Sequence, residues 1–324
     1  LSIDCSTAAL EAGEPLAGTA PVATCWILIE QRGPWGKDAL LDSRLEGDLG
    51  QSLKSKAAGT GVNILLVRHP GHPAPDPDDA DRLVWVAYTC PGATRMRRGT
   101  VPDLRLILDW DFAELAAGSL PPLGLATDEP MFLVCTHSGR DACCALHGRA
   151  LITALHQSVS AAERESIWEC SHIGGHRFAP TVMSLPAGAV FGRLTALTAH
   201  AVFSKAREQA LTIDDYRGRT CFAPPLQVAE ITVRKSAAIY DRDVLDVLRV
   251  IDDRALPMPP LAELPGLGSS LVAEVRHTDG RAWRVNLRQE ELAQPRPESC
   301  GRELTTASIW RSTGVAEVAS WRSG

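Results

Sequence analysis

No stretch of this 324-residue chain approaches the roughly 20 consecutive apolar residues that a membrane-spanning helix needs, so no membrane partner is expected. A basic excess is also missing. The 33 Lys and Arg stand against 39 Asp and Glu, a net charge of −6, and no nucleic-acid partner is expected of such a chain beyond what local basic patches could hold. The first residues, Leu1-Ser-Ile-Asp-Cys5, lack the basic-then-apolar order of a secretory leader. The nine cysteines are odd in number and scattered, which is not the framework of a small disulfide-stapled secreted domain. A reducing, cytoplasmic location is therefore expected. There, clustered Cys and His point to metal or catalysis more often than to staples. No short-period repeat is visible, although the two halves could be distant copies of one βαβ unit.

What is present is ordinary globular material. Hydrophobic residues make up 45% and charged residues 22%, enough apolar content to bury a sizeable core. The length allows two or three domains. Strands are expected at Trp26–Glu30, Asn63–Arg68 and Arg82–Tyr88, with a helix from Asp38 to about Ala58 and a Pro- and Asp-rich loop over 69–79. Pro121-Pro122-Leu-Gly124 marks a boundary. Beyond it come a strand at Met131–Cys135, a helix from Ala142 to about Val159 capped by Asp141, and a strand at Ser166–Cys170. A hairpin over 181–191 and helices near 198–209 and 226–235 follow. After Ser236, Asp279-Gly280 signals a hairpin between 271–276 and 281–287, with late strands at 308–310 and 315–321. This α/β pattern divides into an N-terminal α/β domain (1–122), a second domain (123–236) and a small C-terminal α+β module (237–324).

The chemistry concentrates in the second domain. Cys135 ends a strand, Cys144 lies in the first turn of a helix, and His172-Ile-Gly-Gly-His176 leaves the next strand. Strand ends and helix N-termini favour a thiolate. If the two strands are neighbours, all four side chains meet at one end of a sheet. Thiolates with neutral imidazoles suit zinc or an iron–sulfur cluster. Other sets compete. Cys135-Thr-His137 with Cys144-Ala-Leu-His147 imitates the two halves of a Rieske-type motif, and Cys143 or Cys170 could replace a thiol ligand. Cys5, Cys25, Cys90, Cys221 and Cys300 have no evident partners in the sequence. His69 and His72 read as loop residues, and Arg95-Met-Arg-Arg98 reads as a solvated basic face.

Phe132-Leu-Val-Cys-Thr-His-Ser-Gly-Arg-Asp-Ala-Cys-Cys144, followed by Trp168-Glu-Cys-Ser-His-Ile-Gly-Gly-His-Arg-Phe-Ala179, resembles the sucrase/ferredoxin-like proteins. Gly18-Thr-Ala20, Gly33-Pro-Trp-Gly36 and Pro224–Glu230 extend the likeness. The resemblance implies a thioredoxin-like ferredoxin domain at 123–236. It also implies a [2Fe-2S] cluster held by Cys135, Cys144, His172 and His176. His137 and Arg140 are candidates for residues that support those ligands. Such a protein is an electron carrier rather than a catalyst with its own substrate. Its partners would be redox proteins that the sequence does not name, and its electron transfer would be coupled to protonation of the histidines. No carboxylate pair is placed for cleavage of a glycosidic bond. Two rivals stand beside this reading: a structural Cys2His2 zinc protein acting by binding, and a thioredoxin-type thiol oxidoreductase using Cys143 and Cys144.

Overall fold

The computed structural model describes residues 4–71, 81–251, 254–256 and 268–319. His72 and most of the Pro-rich loop lie outside the described residues. The first half contains α1 (Cys5–Glu11), β1 (Cys25–Glu30), α2 (Ala39–Asp42), α3 (Leu49–Ala57), β2 (Val62–Arg68), β3 (Arg82–Tyr88), β4 (Arg95–Val101), α4 (Phe112–Ala117) and β5 (Leu125–Ala126). The expected single helix over 38–58 is two. Asp42 turns its carboxylate back onto the Lys37 and Asp38 backbone N–H groups, and Ser43 leaves in an extended conformation.

The second half contains β6 (Met131–Cys135), α5 (Ala142–Ser158), α6 (Ala161–Arg164), β7 (Ile167–Cys170), β8 (Val182–Leu185), β9 (Ala189–Phe191), α7 (Ala196–Arg207), β10 (Tyr216–Arg219) and α8 (Pro224–Ala237). The strands of both halves form one ten-stranded sheet in the order β10-β9-β8-β6-β7-β2-β1-β3-β4-β5. That order is a palindrome. In each half the first strand pairs in parallel with the second, and the third pairs antiparallel on its other side. The fourth and fifth strands then continue outward, antiparallel. The two halves are thus two copies of one βαβ-plus-meander topology, and the sheet runs without a break across the 122/123 boundary.

The join between the halves decides where chemistry can occur. β2 and β7 pair only at their C-terminal ends, Val67 with Cys170 and Arg68 with Glu169. Glu30, Val67, Cys170 and Cys135 therefore stand in one row across the sheet. The loops leaving four strands meet at its centre. Side chains alternate across the strands. Trp26 and Leu28 join Val67, Leu133 and Trp168 on a face that both halves share. Ile27 and Ile29 face α3 and α4, and Phe132 and Val134 face α5 and α7. The α5 stripe of Leu151, Ile152 and Leu155 is buried there, each side chain contributing roughly 1.5–3 kcal/mol of transfer free energy.

The remaining strands are β11 (Leu245–Ile251), β12 (Arg254–Leu256), β13 (Ser270–His277), β14 (Ala282–Glu291), β15 (Arg296–Pro297), β16 (Leu304–Thr305) and β17 (Ser308–Val318). Five of them form an antiparallel sheet, β12-β11-β13-β14-β17. The two late strands expected separately are one strand, β17. Among the described residues of this part, from 238 to 319, the regular elements are strands. Its helical layer comes from α8, which lays Leu226, Val228, Ala229 and Val233 against Val247, Ala273, Val275 and Trp283.

Candidate metal centre

Cys135 is the last residue of β6, and Cys144 is the third residue of α5. Asp141 caps α5 by accepting the Cys143 N–H at 2.9 Å. His172 stands two residues past β7, and His176 opens a short 3-10 turn, His176–Phe178. One ligand atom from each of Cys135, Cys144 and His172 lies within 4.8 Å of the others. His176 is outside that closest set, with its ring 5.1 Å from that of His172 and tilted 30° to it.

The hydrogen bonds select which ring nitrogens are free. His176 Nε2 lies against the Glu298 carbonyl and 3.0 Å from Ser299 Oγ. A carbonyl only accepts, so Nε2 carries the proton and Nδ1 has a bare lone pair. That Nδ1 is buried without a partner, and so is His172 Nδ1. A buried polar atom left unsatisfied costs free energy. These two nitrogens lie on neighbouring rings, and His172 groups with the buried Cys135 and Cys144 thiols, so a metal bound there would satisfy lone pairs that the protein leaves bare. Burial holds the His176 imidazole below its ordinary value, against the opposing pull of Asp141. The Cys135 thiol is held well below its ordinary range by the hydrogen bond from Cys144, with His172 acting in the same sense and burial opposing them. Cys144 is pushed up by the same contact.

The His172–His176 loop has the shape its glycines permit. Gly174 and Gly175 adopt φ of 108° and 74°. A Cβ on Gly175 would lie 2.3 Å from Arg217 Nη2. Arg217 is fully buried and donates to the Gly174 carbonyl at 2.9 Å, to Thr19 Oγ1 at 3.0 Å and to the Thr19 carbonyl. It clamps the loop to the N-terminal segment. Burial and nearby Arg177 pull its guanidinium down to about 9, while Glu14 and the thiols of Cys135 and Cys144 oppose them. A second clamp holds the chain that covers His176. The buried Glu14 carboxylate receives Arg296 at 2.7 and 2.7 Å and Arg177 at 2.9 and 3.0 Å. Sequence reasoning missed Arg217 and Glu14, and neither carries a local signal, since Arg217 stands among Asp214, Asp215 and Arg219 and Glu14 follows Glu11.

The side chains of His137 and Arg140 are not in the thiol group, although the His137 backbone N–H donates to the Cys135 thiol. His137 donates from Nε2 to the Gly36 carbonyl at 2.9 Å and packs edge-on against Trp35, tying the β6–α5 loop to the matching loop of the first half. Arg140 is exposed. With Lys37, Asp38 and Ser171 it lines a cleft of about 240 Å³ that His172 enters. The Rieske-type set does not assemble. His147 Nε2 lies 3.3 Å from Ser6 Oγ, away from Cys135. Arg95 and Arg98 are exposed, with their guanidiniums over Tyr88 and Trp85, and Arg97 donates to the Leu123 and Gly124 carbonyls, so this basic cluster is a solvated face of β4. Cys170 is fully buried, with its thiol pushed well up by burial. Cys143 points the other way from Cys144, into a second group formed with Cys5 and Cys300.

The family model described as sucrase/ferredoxin-like matches residues 16–218, more than half of the chain. The chain belongs to the sucrase/ferredoxin-like family. No curated protein and no solved structure matches it. The sucrase/ferredoxin-like region contains Cys135, Cys144, His172 and His176, as well as Arg217. Cys5 and Cys300 fall outside it. Among the described residues no helix is long and apolar enough to cross a membrane.

Proposed function

We propose that this sucrase/ferredoxin-like protein is an electron carrier whose redox group is a [2Fe-2S] cluster held by Cys135, Cys144, His172 and His176. The observation that carries the reading is the width of the donor set. A single zinc draws four ligand atoms to within about 3.3–3.8 Å of one another, from bond lengths of about 2.0–2.3 Å. His176 stands outside the 4.8 Å set formed by the other three, yet its Nδ1 is buried and unpartnered and its ring lies 5.1 Å from that of His172. That spacing favours a larger inorganic core over one ion. The topology of the second half, a parallel βαβ followed by an antiparallel hairpin, supports the thioredoxin-like reading of residues 123–236. When bound, such a cluster supplies a one-electron couple, with a potential raised by imidazole in place of thiolate.

The chain's own residues set the proton chemistry in this proposal. His176 Nε2 keeps its proton by donating to the Glu298 carbonyl and Ser299 Oγ, and the Ser299 hydroxyl in turn donates a hydrogen bond to Asp141 Oδ2 at 3.2 Å. His172 is half-buried and lines an open cleft. Proton exchange with solvent is therefore assigned to His172. Lys37, Arg140 and Arg302 are exposed around the mouths of the two clefts beside the histidines. Asp38, Glu298 and Glu303 line the same clefts, so a redox protein partner would meet a surface of mixed charge there.

An absorption spectrum of anaerobically purified protein, with iron and sulfide determined on the same sample, tests the proposal. The expected result is a red-brown protein with about two irons and two sulfides per chain, bleached by dithionite. A colourless protein with zinc bound through Cys135 and His172 overturns it. The proton coupling predicts a reduction potential that falls as pH rises; a flat potential between about pH 6 and 10 removes that part, since proton-coupled histidines must titrate within this range.

A further inference from the structure

The sequence offered no partners for Cys5 and Cys300, and Cys143 competed with Cys144 as a ligand. The fold brings these three thiols together on the far side of α5. Cys5 Sγ is 3.6 Å from Cys143 Sγ and 3.6 Å from Cys300 Sγ, and Cys143 Sγ is 3.3 Å from Cys300 Sγ. The Asp141 carboxylate closes the fourth corner, with Oδ1 3.7 Å and Oδ2 3.9 Å from Cys5 Sγ. One ligand atom from each of the four residues lies within 4.8 Å of all the others. Cys5, Cys143 and Asp141 are buried, and Cys300 is half-buried.

We propose that Cys5, Cys143, Cys300 and Asp141 form a second metal site, a closed structural zinc site separate from the Cys135–Cys144–His172–His176 centre. The dimensions match that ion. A regular tetrahedron with Zn–S of about 2.3 Å has S–S edges of about 3.8 Å, and with Zn–O of about 2.0 Å its S–O edges are about 3.5 Å. The three thiols form a nearly equilateral triangle at 3.3–3.6 Å. A disulfide would need only two sulfurs and would leave the third without a role. Asp141 is held in place without using up its oxygens. It accepts Cys143 N–H at Oδ1 and Cys300 N–H at Oδ2, at 2.9 and 3.0 Å, and the Ser299 hydroxyl also reaches Oδ2. A carboxylate has about four lone-pair positions, so one remains toward the thiols. The site also sits at the N-terminus of a 17-residue helix, where negative ligands are favoured.

The three cysteines come from segments 138 and 157 residues apart along the chain. Zinc there would staple α1 and the 299–300 segment onto the start of α5. That segment is the one that contributes the Glu298 carbonyl and Ser299 Oγ to His176. The adjacent cysteines have distinct tasks because neighbours on an α-helix differ by about 100° in direction. Cys144 faces Cys135, and Cys143 faces Cys5 and Cys300.

The test is metal analysis of the full-length protein, purified with a thiol reductant, together with Cys5→Ser, Cys300→Ser and Cys135→Ser. The expected result is about one zinc per chain beyond the iron. Zinc affinity should fall at least about tenfold in Cys5→Ser and in Cys300→Ser, with iron per chain unchanged, whereas Cys135→Ser should lose iron and keep zinc. Cadmium added to the zinc-stripped wild-type protein should give a thiolate-to-metal ultraviolet band, a readout that does not depend on any variant folding. Three results would overturn the site: a reduced wild-type protein that holds no zinc and takes up neither zinc nor cadmium; zinc content unchanged in both serine variants; or a disulfide among the three cysteines in the protein as isolated without oxidant.

Discussion

Replacing Gly175 with alanine should damage the loop far more than the same change at Gly174, although the two are adjacent. Both have positive φ, 74° and 108°, and a side chain there costs about 1–2 kcal/mol in backbone strain. At Gly174 little else happens, because the nearest atom to an added Cβ is Pro21 Cβ at 3.8 Å. At Gly175 the Cβ would stand 2.3 Å from Arg217 Nη2 and 3.0 Å from Phe178 Cδ2. Arg217 has nowhere to retreat. It is buried and fixed by bonds to Gly174, to the Thr19 hydroxyl and to the Thr19 carbonyl. Freeing a buried charge from its partners costs about 3–5 kcal/mol. Gly175→Ala should therefore lose about 4–7 kcal/mol against about 1–2 for Gly174→Ala, summing strain and broken contacts. Urea unfolding of the two variants measures the difference, and iron content reports whether His172 and His176 still face the thiols. Equal losses in the two variants would refute the clamp, as would a Gly175→Ala protein with wild-type stability.

Other expectations are simpler. Glu230 and Arg234 on α8 are both fully buried and paired at 3.0 Å, with the Tyr216 hydroxyl donating to the same carboxylate; Glu230→Ala should cost about 3–5 kcal/mol in urea unfolding because the guanidinium is left unpaired, and a loss under about 1 kcal/mol, the range of exposed pairs, would contradict the burial argument. The Glu14 carboxyl would be raised by burial alone, but Arg296 and Arg177 outweigh that and hold it below its ordinary 4.5. Its contribution is complete above about pH 4.5 and is lost as pH falls through the folded value. Hydrogen exchange over 296–305 should therefore accelerate on the acid side, and in Glu14→Gln it should be fast already at neutral pH; an acid response identical to wild type in that variant would exclude Glu14 as its cause. The Cys90 thiol is brought down to about 7, chiefly by the hydrogen bond from Cys221 and against burial. Its alkylation should titrate with a midpoint near 7, and should move toward 9 in Cys221→Ala; no movement would remove Cys221 as the cause.

The elements that shape the site were legible because each carries its own local signal. Asp141 before Ala142 and the four-residue spacing of Leu151, Leu155 and Val159 set α5. Asp279-Gly280 set the β13–β14 hairpin, with Gly280 at φ 96°. Cys135, Cys144 and His172 were readable as one cluster because they leave neighbouring parallel strands. What escaped was non-local. The palindromic sheet rests on a two-residue overlap of β2 with β7, and no periodicity encodes such a contact. Arg217 and Glu14 act through residues far along the chain, and nothing around either marks it as a clamp. Cys5 and Cys300 looked solitary because 295 residues separate them. The paired cysteines at 143–144 left the register open, and the rotation between helix neighbours resolves it only once the surroundings of α5 are known. The expected α2–α3 continuity failed for a local reason of a different kind, since Asp42 folds back onto backbone N–H groups of its own first turn.

The account's central claim is the ligand set of the redox centre. Its most direct test is pulsed electron paramagnetic resonance of the dithionite-reduced protein with ¹⁵N-labelled histidine. The account predicts strong couplings to two histidine nitrogens, unchanged in His137→Ala and His147→Ala and reduced to one when His172 or His176 is replaced. A reduced centre without histidine couplings, couplings that vanish in His137→Ala or His147→Ala, or a protein with no iron signal would contradict it.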